Sequence, residues 1–558
     1  MSGLNAVTMI GGLALFLYGM TLMGDGLSQT SGGRLEKILE RLTSSPIRAV
    51  LLGAAVTGVI QSSSATTVMV VGFVNSGIMR LSQAVGIIMG ANIGTTVTSW
   101  LLSLTGIEGE NLFLTLCKPS TFSPILAIVA VFLLMFSKKD SRKNVSMIMM
   151  GFAILMFGMD TMTAAIEPLA KVPEFRNVLL MFQNPLFGML AGLVVTAIIQ
   201  SSSASVGILQ ALCLTGKVPM GTAIPIIMGQ NIGTCITAIL SSIGANRGAR
   251  RAALVHLYFN LIGTTLFMVI FYSINAWVHF EFLSASAGVM DIAIVHSLFN
   301  ISATAILLPF SKGLEKLAYL TLPESKQEKK EAKVTLLDER FLETPSYAIA
   351  QCKKVALDMM NESRQCFEMA TGLVQNYDKE KCSQITSLKK SVHSQEEQLG
   401  DYLIRLSEKI LSEKDSRRLS FLLHSITDYK RIADYSFDFA GVCKTISEKK
   451  SEFSKKALAD IESLEKGVVE IANVSSHIFE QEDMVMSEKV IRMSVQFEEL
   501  IPELKKRHIK RLRNGKCKIQ SGFLWQDLLM NYKKIFEHYR NIALGIRGLN
   551  EENQDGGK

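Results

Sequence analysis

The chain has 558 residues, with 58 Lys+Arg against 50 Asp+Glu and 48% apolar side chains. Residues 1–321 hold only 18 basic and 12 acidic side chains, about 9% charge, whereas residues 322–558 hold 40 and 38, about 33%. That division excludes a single soluble domain and points to a membrane domain ahead of a soluble one. The net charge of +8 forms no basic stripe with interleaved aromatics, which argues against nucleic acid as a partner.

The first apolar run, Leu4 to Met23, has no basic leader and no small-residue cleavage site, so a retained membrane helix is expected. Further apolar stretches lie near 49–74, 81–105, 121–137, 145–166, 186–215, 219–243, 252–278 and 287–310. Two short basic clusters separate some of them: Lys138, Lys139, Arg142 and Lys143, then Arg247, Arg250 and Arg251. By the bias of basic loops toward the cytoplasm, both belong inside, together with the polar C-terminal half.

Gln-Ser-Ser-Ser occurs twice, at 61–64 and 200–203, within a repeat of constant offset 139. Gly19 matches Gly158, Pro46 matches Pro185, and IIMGANIGTTVT (87–98) matches IIMGQNIGTCIT (226–237) without a gap. Repeats of about 5–135 and 144–275 follow, with an extra helix at about 287–310. Two homologous halves carrying polar, glycine-rich breaks at membrane depth are the mark of a secondary transporter. The first half should lie upside down relative to the second.

Hydrocarbon tolerates an irregular backbone only where protein buries it or it lines a cavity. Re-entrant hairpins, or helices broken at the serines, would meet that condition. A broken helix offers free N–H groups that favour an anion, and freed carbonyls and hydroxyls that favour a hard cation such as sodium. Asn92, Gly94 and Thr95, with Asn231, Gly233 and Thr234, repeat that logic. Thr98 and Thr237 lie one helical turn beyond. An isolated Ser pair in a membrane helix usually bonds back to its own backbone. Two copies in register with a repeated Asn-Ile-Gly-Thr favour a binding site instead.

His256 and His296 recur in HLYFN and HSLFN, each with an Asn four residues on. Interhelical hydrogen-bonding pairs are the favoured reading. The position matching His256 in the first half is Cys117, which sets the element outside the two-fold repeat. Asp160, whose repeat mate is Thr21, is expected near an interface. The eight cysteines show no CxxC pair or metal spacing, and five lie in the polar half, which suits a reducing compartment.

The paired QSSS motifs, each followed by G-x-N-I-G-T, resemble the type II sodium–phosphate cotransporters over roughly residues 5–310. The resemblance implies a substrate and sodium site built from Gln61, Ser62, Ser63, Ser64, Asn92 and Thr95. The second half would add Gln200, Ser201, Ser202, Ser203, Asn231 and Thr234, with Thr66 and Ser205 as further oxygen ligands. Ala91 opposite Gln230 lets the halves differ. Sodium would be co-transported with inorganic phosphate by alternating access. Phosphate efflux, or a membrane-anchored sensor without transport, are the other readings. An enzyme is not expected, because the Ser runs lack a G-x-S-x-G elbow and a neighbouring base.

A solvated linker is expected over 322–335, a helical domain over 336–550 and a disordered tail over 551–558. Asp428, Arg431, Ile432, Ala433 and Asp434 resemble the D-x-x-R-I-G/A-D helix of PhoU-type domains, and NYKKIFEHYRNIA (531–543) is a weaker second copy with Ile535, Glu537, Asn541 and Ile542. Two copies imply two three-helix bundles with a regulatory role and room for a protein partner. Lys430 and Lys533 stand where the family's metal-binding Glu would be, which argues against a metal, and Asp434 with Asp438 reads as an exposed polar face. The fold class is therefore all-α: a polytopic cell-membrane protein with two inverted repeats and broken helices, then a cytosolic PhoU-like bundle. Oligomeric state is left open.

Overall fold

The computed structural model describes residues 3–31, 45–106, 119–137, 139–168, 172, 179, 181–324, 337–483 and 486–548. Cys117, Lys138, residues 325–335 of the expected linker and the tail 551–558 lie outside the described residues. The chain forms two compact units, Met1–Tyr347 and Ala348–Lys558. Both are built from helices, and no β-strand occurs among the described residues.

The first unit contains α1 (Gly3–Ser31), α2 (Pro46–Ile60), α3 (Ser63–Asn75), α4 (Leu81–Ser103), α5 (Pro119–Phe136), α6 (Asp140–Ile166), α7 (Pro185–Ile199), α8 (Ser202–Cys213), α9 (Met220–Ser241), α10 (Arg247–Val278), α11 (Val289–Leu307) and α12 (Ser311–Thr321). Among the described residues, six stretches are long and apolar enough to cross a membrane: Leu4–Thr30, Leu81–Gly106, Ser141–Ile166, Met220–Ser241, Arg247–Val278 and Val289–Thr321. The starts of α2, α3 and α4 recur 139 residues later as the starts of α7, α8 and α9. Pro46 and Pro185 open α2 and α7 at a position where the missing N–H needs no partner.

Glycines fix how these helices run. Gly53 meets the backbone of Ile87, and Gly94 meets Ala54 and Thr57, so α2 and α4 are parallel. The end of α3 is joined to the start of α4 by only residues 76–80, so α3 must run back along α2. The pair α2–α3 is therefore a hairpin that enters and leaves on one face. Its helices of 15 and 13 residues are about 22 and 20 Å long, short of a full hydrocarbon crossing of about 30 Å. The same holds for α7–α8, because Gly192 meets Ile226 and Gly233 meets Leu193 and Thr196. Of the two arrangements open from sequence, the hairpin is the one formed, and its break falls at Gln61–Ser62 and Gln200–Ser201, ahead of the helical serines.

The hairpins open on opposite faces. Asn75, at the open end of the first, accepts at Oδ1 from Asn246 N (2.8 Å) and at O from Asn246 Nδ2 (2.7 Å). Asn246 lies beyond the end of α9 and caps α10. The second hairpin opens at the start of α9. The inversion is repeated where α1 and α6, matching helices of the two halves, pack antiparallel: Gly12 meets Gly158, Gly19 meets Gly151, and Gly26 meets Asn144. Matching helices that run in opposite directions about reciprocal contacts define a two-fold axis across the helices, which is an inverted-topology repeat.

On the face holding Asn75, a short 3-10 turn, Glu339–Glu343, docks against α3. Asn75 Nδ2 donates to Asp338 Oδ2 at 2.6 Å, and Arg340 Nε donates to Ser241 O at 2.9 Å. Arg340 also pairs with Asp338 at 3.0 Å. Phe341 packs under Gly72, within ring contact of Phe73 and Tyr347.

The second unit is made of α13 (Pro345–Thr371, its first three residues in the first unit), α14 (Lys379–Ser407), α15 (Glu413–Glu448), α16 (Lys455–Gln481), α17 (Ser487–Arg513) and α18 (Ile519–Gly548). Two groups of three are related. Ser363 Oγ of α13 donates to Tyr429 O of α15 at 2.9 Å, and Ser475 Oγ of α16 donates to Tyr539 O of α18 at 2.8 Å. The motif helices α15 and α18 pack on each other through His538 Nδ1–Asp428 Oδ1 (2.7 Å) and the Phe439–Tyr532 ring pair.

Candidate functional site

Each QSSS run divides its work among its residues. Gln61 and Gln200 hold φ 60° and ψ 21°, the left-handed conformation that ends α2 and α7. The next serine is the N-cap of the returning helix: Ser62 Oγ accepts from Ala65 N at 3.1 Å and Ser201 Oγ from Ala204 N at 3.2 Å. Capping by Ser satisfies an N–H the helix start cannot satisfy itself. Ser63 and Ser202 open α3 and α8 and are buried. Ser64 and Ser203 face the opposite half.

The two tips meet through reciprocal contacts. Ser203 Oγ donates to Thr98 Oγ1 at 3.4 Å, and Thr98 Oγ1 donates to Gln61 Oε1 at 2.8 Å. In the mirrored position Thr237 Oγ1 lies 3.3 Å from Ser64 Oγ, and Ser64 Oγ donates to Gln200 O at 3.3 Å. Thr98 and Thr237 therefore stand at the meeting point of the two hairpin tips. Their place one turn beyond Thr95 and Thr234 is visible in the sequence, but they are not among the ligands expected from it. The signal that marks them is the 139-residue register.

The halves are not equivalent. The Gln61 side chain is 6% exposed, held by Thr98 and by its own bond from Nε2 to Gly58 O. Gln200 is exposed. Thr57 Oγ1 donates to Thr66 Oγ1 at 3.0 Å, while their counterparts Thr196 and Ser205 carry buried hydroxyls without a partner among the described residues. Thr66 also donates to Ser62 O, so it is turned to α2 and its own backbone rather than to the opposite half.

Thr95 donates to Ala91 O and Thr234 to Gln230 O, both at 3.0 Å. A threonine that gives its proton to its own helix keeps only acceptor lone pairs for a ligand. Asn92 Nδ2 donates to Asn260 Oδ1 and Asn231 Nδ2 to Asn300 Oδ1, each at 2.6 Å. All the residues expected from sequence lie on the two hairpins or on α4 and α9. Asn260 and Asn300, expected only as interhelical hydrogen-bonding residues, stand directly behind Asn92 and Asn231.

The His–Asn elements thus enter the two-fold arrangement that their sequence offset of 40 had hidden. Asn260 serves the first half from α10, and Asn300 serves the second from α11. The asparagines make these bridges. His296 Nδ1 shares a hydrogen bond with Ser99 Oγ at 2.8 Å, while the buried His256 ring has no partner among the described residues. Asp160 is exposed on α6, away from these contacts.

In the second unit, Asp434 is met by Lys389 at 3.0 Å and His393 at 2.8 Å, and Lys430 bonds Glu396 at 2.8 Å. Asp438 is exposed. Cations of the chain thus surround the carboxylate, and no group of three or more metal-capable side chains occurs among the described residues.

The sequence model of the Na+/Pi-cotransporter family matches residues 15–164 and 154–296, and that of the PhoU domain matches residues 356–442. The chain is 21% identical over 565 residues to a protein of Escherichia coli named "Putative inorganic phosphate export protein YjbB", covering 100% of this chain and 99% of that one. It is 28% identical over 321 residues to the uncharacterized protein YqeW of Bacillus subtilis, covering 56% of this chain and 96% of that one. A shorter segment, 104 residues, is 35% identical to the sodium-dependent phosphate transport protein 2A of Rattus norvegicus, covering 18% of this chain and 16% of that one.

Proposed function

This chain belongs to the Na+/Pi-cotransporter family, and we propose that it moves inorganic phosphate across the cell membrane together with sodium, by alternating access. The observation that carries the reading is the reciprocal pair Ser203–Thr98 and Ser64–Thr237, which joins two inverted hairpin tips in one polar cluster. The N-termini of α3 and α8 open at that cluster and favour an oxyanion. The ends of α2 and α7, the back-bonded threonines and the serine oxygens favour sodium. Phosphate is costly to strip of water, and sodium beside it offsets that cost, so the two fluxes couple.

We assign the ligands to Gln61, Ser62, Ser63, Ser64, Asn92, Thr95, Gln200, Ser201, Ser202, Ser203, Asn231 and Thr234, with Thr98 and Thr237 added. Thr66 and Ser205 form an outer pair. Inverted repeats with unequal contacts are what alternating access needs. Here Gln61 is locked and Gln200 is open, and the exchange of these roles would move the access pathway from one face to the other.

The face with Asn75, Arg247, Arg250 and Arg251 is assigned to the cytoplasm by its basic residues. Leu322 O and Pro323 O accept from Arg251 and Arg247 on that face, so the chain leaves the transport domain, residues 1–321, toward the cytoplasm. Residues 336–550, of which 337–347 belong to the first compact unit, would then form a cytoplasmic regulatory domain. No role in this mechanism calls for covalent chemistry.

Net export is the second reading for direction. It is favoured by the likeness to YjbB, which runs through both units and not only the membrane one. The test is radiolabelled phosphate flux in proteoliposomes under inward or outward gradients of sodium or potassium. Flux that follows the sodium gradient supports coupling, and its preferred direction decides between uptake and export. Equal flux in potassium would remove sodium from the mechanism.

A further inference from the structure

Asn260 and Asn300 lie behind the candidate ligands and fix which end of each ligand amide faces the site. Asn260 is 2% exposed and Asn300 1%. Asn260 Nδ2 donates to His256 O of its own helix at 2.9 Å, and Asn300 Nδ2 does the same to His296 O at 2.9 Å. Neither amide can turn over without setting its oxygen against a carbonyl oxygen. Each therefore presents Oδ1 to its neighbour, and Asn92 and Asn231 must answer with Nδ2. The opposite orientation would place two acceptors 2.6 Å apart. Asn92 and Asn231 are thus left with Oδ1 on the side away from α10 and α11, and the described residues give neither oxygen a hydrogen bond.

We infer that Asn260 and Asn300 are positioning residues that hold the Asn92 and Asn231 amides oxygen-outward, which makes these two amides ligands for sodium rather than for phosphate. The inference rests on the proposed reading of the cluster as a sodium–phosphate site. Its chemistry is direct: a hard cation takes oxygen ligands, and an amide pinned by its nitrogen offers only oxygen. Helix packing alone would not call for the arrangement. A hydrogen bond between membrane helices contributes only about 0.6 kcal/mol on average, and an apolar pair would fill the space. Two helices with a sequence offset of 40, serving ligands with an offset of 139, form the same four-atom pattern twice.

The test uses the full chain in detergent and reads thermal stabilisation by sodium against choline. Asn260→Ser and Asn300→Ser are the informative variants. A serine hydroxyl bonds its own i−4 carbonyl, leaving the helix satisfied, yet it is too short to hold the partner amide. The sodium concentration for half-stabilisation should rise about ten- to a hundredfold, as when the outer partner of a metal ligand is lost. The unfolding temperature in choline should stay near that of the natural protein. Asn260→Asp, which as a buried neutral acid donates its O–H to His256 O and keeps an acceptor facing Asn92, should recover most of the affinity.

Unchanged half-stabilisation in both serine variants would overturn the inference. So would stability lost equally in sodium and choline, which is a packing role. A natural protein that sodium stabilises no better than choline would overturn it as well. Phosphate flux in proteoliposomes judges the wider reading separately. Sodium-driven flux with unaltered sodium affinity in the variants sinks the positioning role alone, whereas flux indifferent to sodium sinks both.

Discussion

Gln61 and Gln200, 139 residues apart, hold the same left-handed backbone, φ 60° and ψ 21° at each, while the first side chain is locked against Thr98 and the second is exposed. A left-handed residue other than glycine carries a strain of about 1 kcal/mol. Glycine removes the strain and the side chain together. Gln61→Gly and Gln200→Gly should therefore unfold at or above the temperature of the matching alanine variants, while both kinds lose transport. Thermal unfolding in detergent alongside phosphate flux checks this. A glycine variant less stable than its alanine counterpart would show that the left-handed turn is not present.

The inverted packing of α1 on α6 depends on a glycine stripe. A Cβ on Gly19 would lie 2.3 Å from Leu155 N, and one on Gly151 would lie 2.4 Å from Met23 N. Backbone atoms cannot retreat as a side chain can. Gly19→Ala or Gly151→Ala should destabilise the first unit by about 2 kcal/mol or more. Gly11→Ala, with nothing within 4 Å, should stay within about 1 kcal/mol. Comparable losses in all three variants would contradict the packing.

The turn at Asp338–Arg340 is tied to α3 and to the end of α9. Hydrogen bonds involving charged groups contribute about 1.5–3 kcal/mol. Asp338→Ala, which removes the partner of both Asn75 and Arg340, should speed amide exchange at Phe341 and Thr344 about tenfold or more. Exchange mass spectrometry reads this directly. Protection equal to that of the natural protein would mean the turn is held by Phe341 and Tyr347 packing alone.

Asp434 provides a pH test of the second unit. Partial burial pushes its carboxyl up, but hydrogen bonds from Lys389 and His393 and their charge outweigh this and hold it below the ordinary carboxylate range. A depressed carboxyl contributes stability above its unfolded value of about 3.9 and loses it as the pH falls through the folded one. The natural unit should lose stability below about pH 4, and Asp434→Asn should be less stable at pH 7 with a shallower loss in that window. Fluorescence of the buried Trp525, in a Trp100→Phe/Trp277→Phe background, follows the unit. Identical acid profiles would show that the Lys389–Asp434–His393 cluster contributes nothing.

Much of this arrangement was legible in the residues. The 139-residue register held the two halves, the breaks and the polar residues at the hairpin tips, because each is written in both copies. The hairpin geometry was not. Whether α3 continues across or turns back depends on which glycines of α2 and α4 touch, and both outcomes suit the same apolar pattern. Asn260 and Asn300 were legible as interhelical hydrogen-bonding residues, but not their partners: they serve Asn92 and Asn231 from helices whose offset is 40, which the repeat's own period of 139 does not pair. The closeness of Thr98 to Ser203 is a contact between halves, which spacing within either half does not encode. The docking of Asp338 on Asn75 joins residues too few and too ordinary to stand out in sequence.

The most direct test of coupling at the hairpin tips runs the transport backwards. Proteoliposomes holding a phosphate gradient and no sodium gradient are monitored for radiolabelled sodium movement, for the natural protein and for Ser64→Ala/Ser203→Ala. One site that holds both ions requires phosphate to drive sodium along its own gradient, and the double variant should lose that movement. Sodium that stays at its background leak while phosphate flows, or a double variant that still couples the two, would contradict the account.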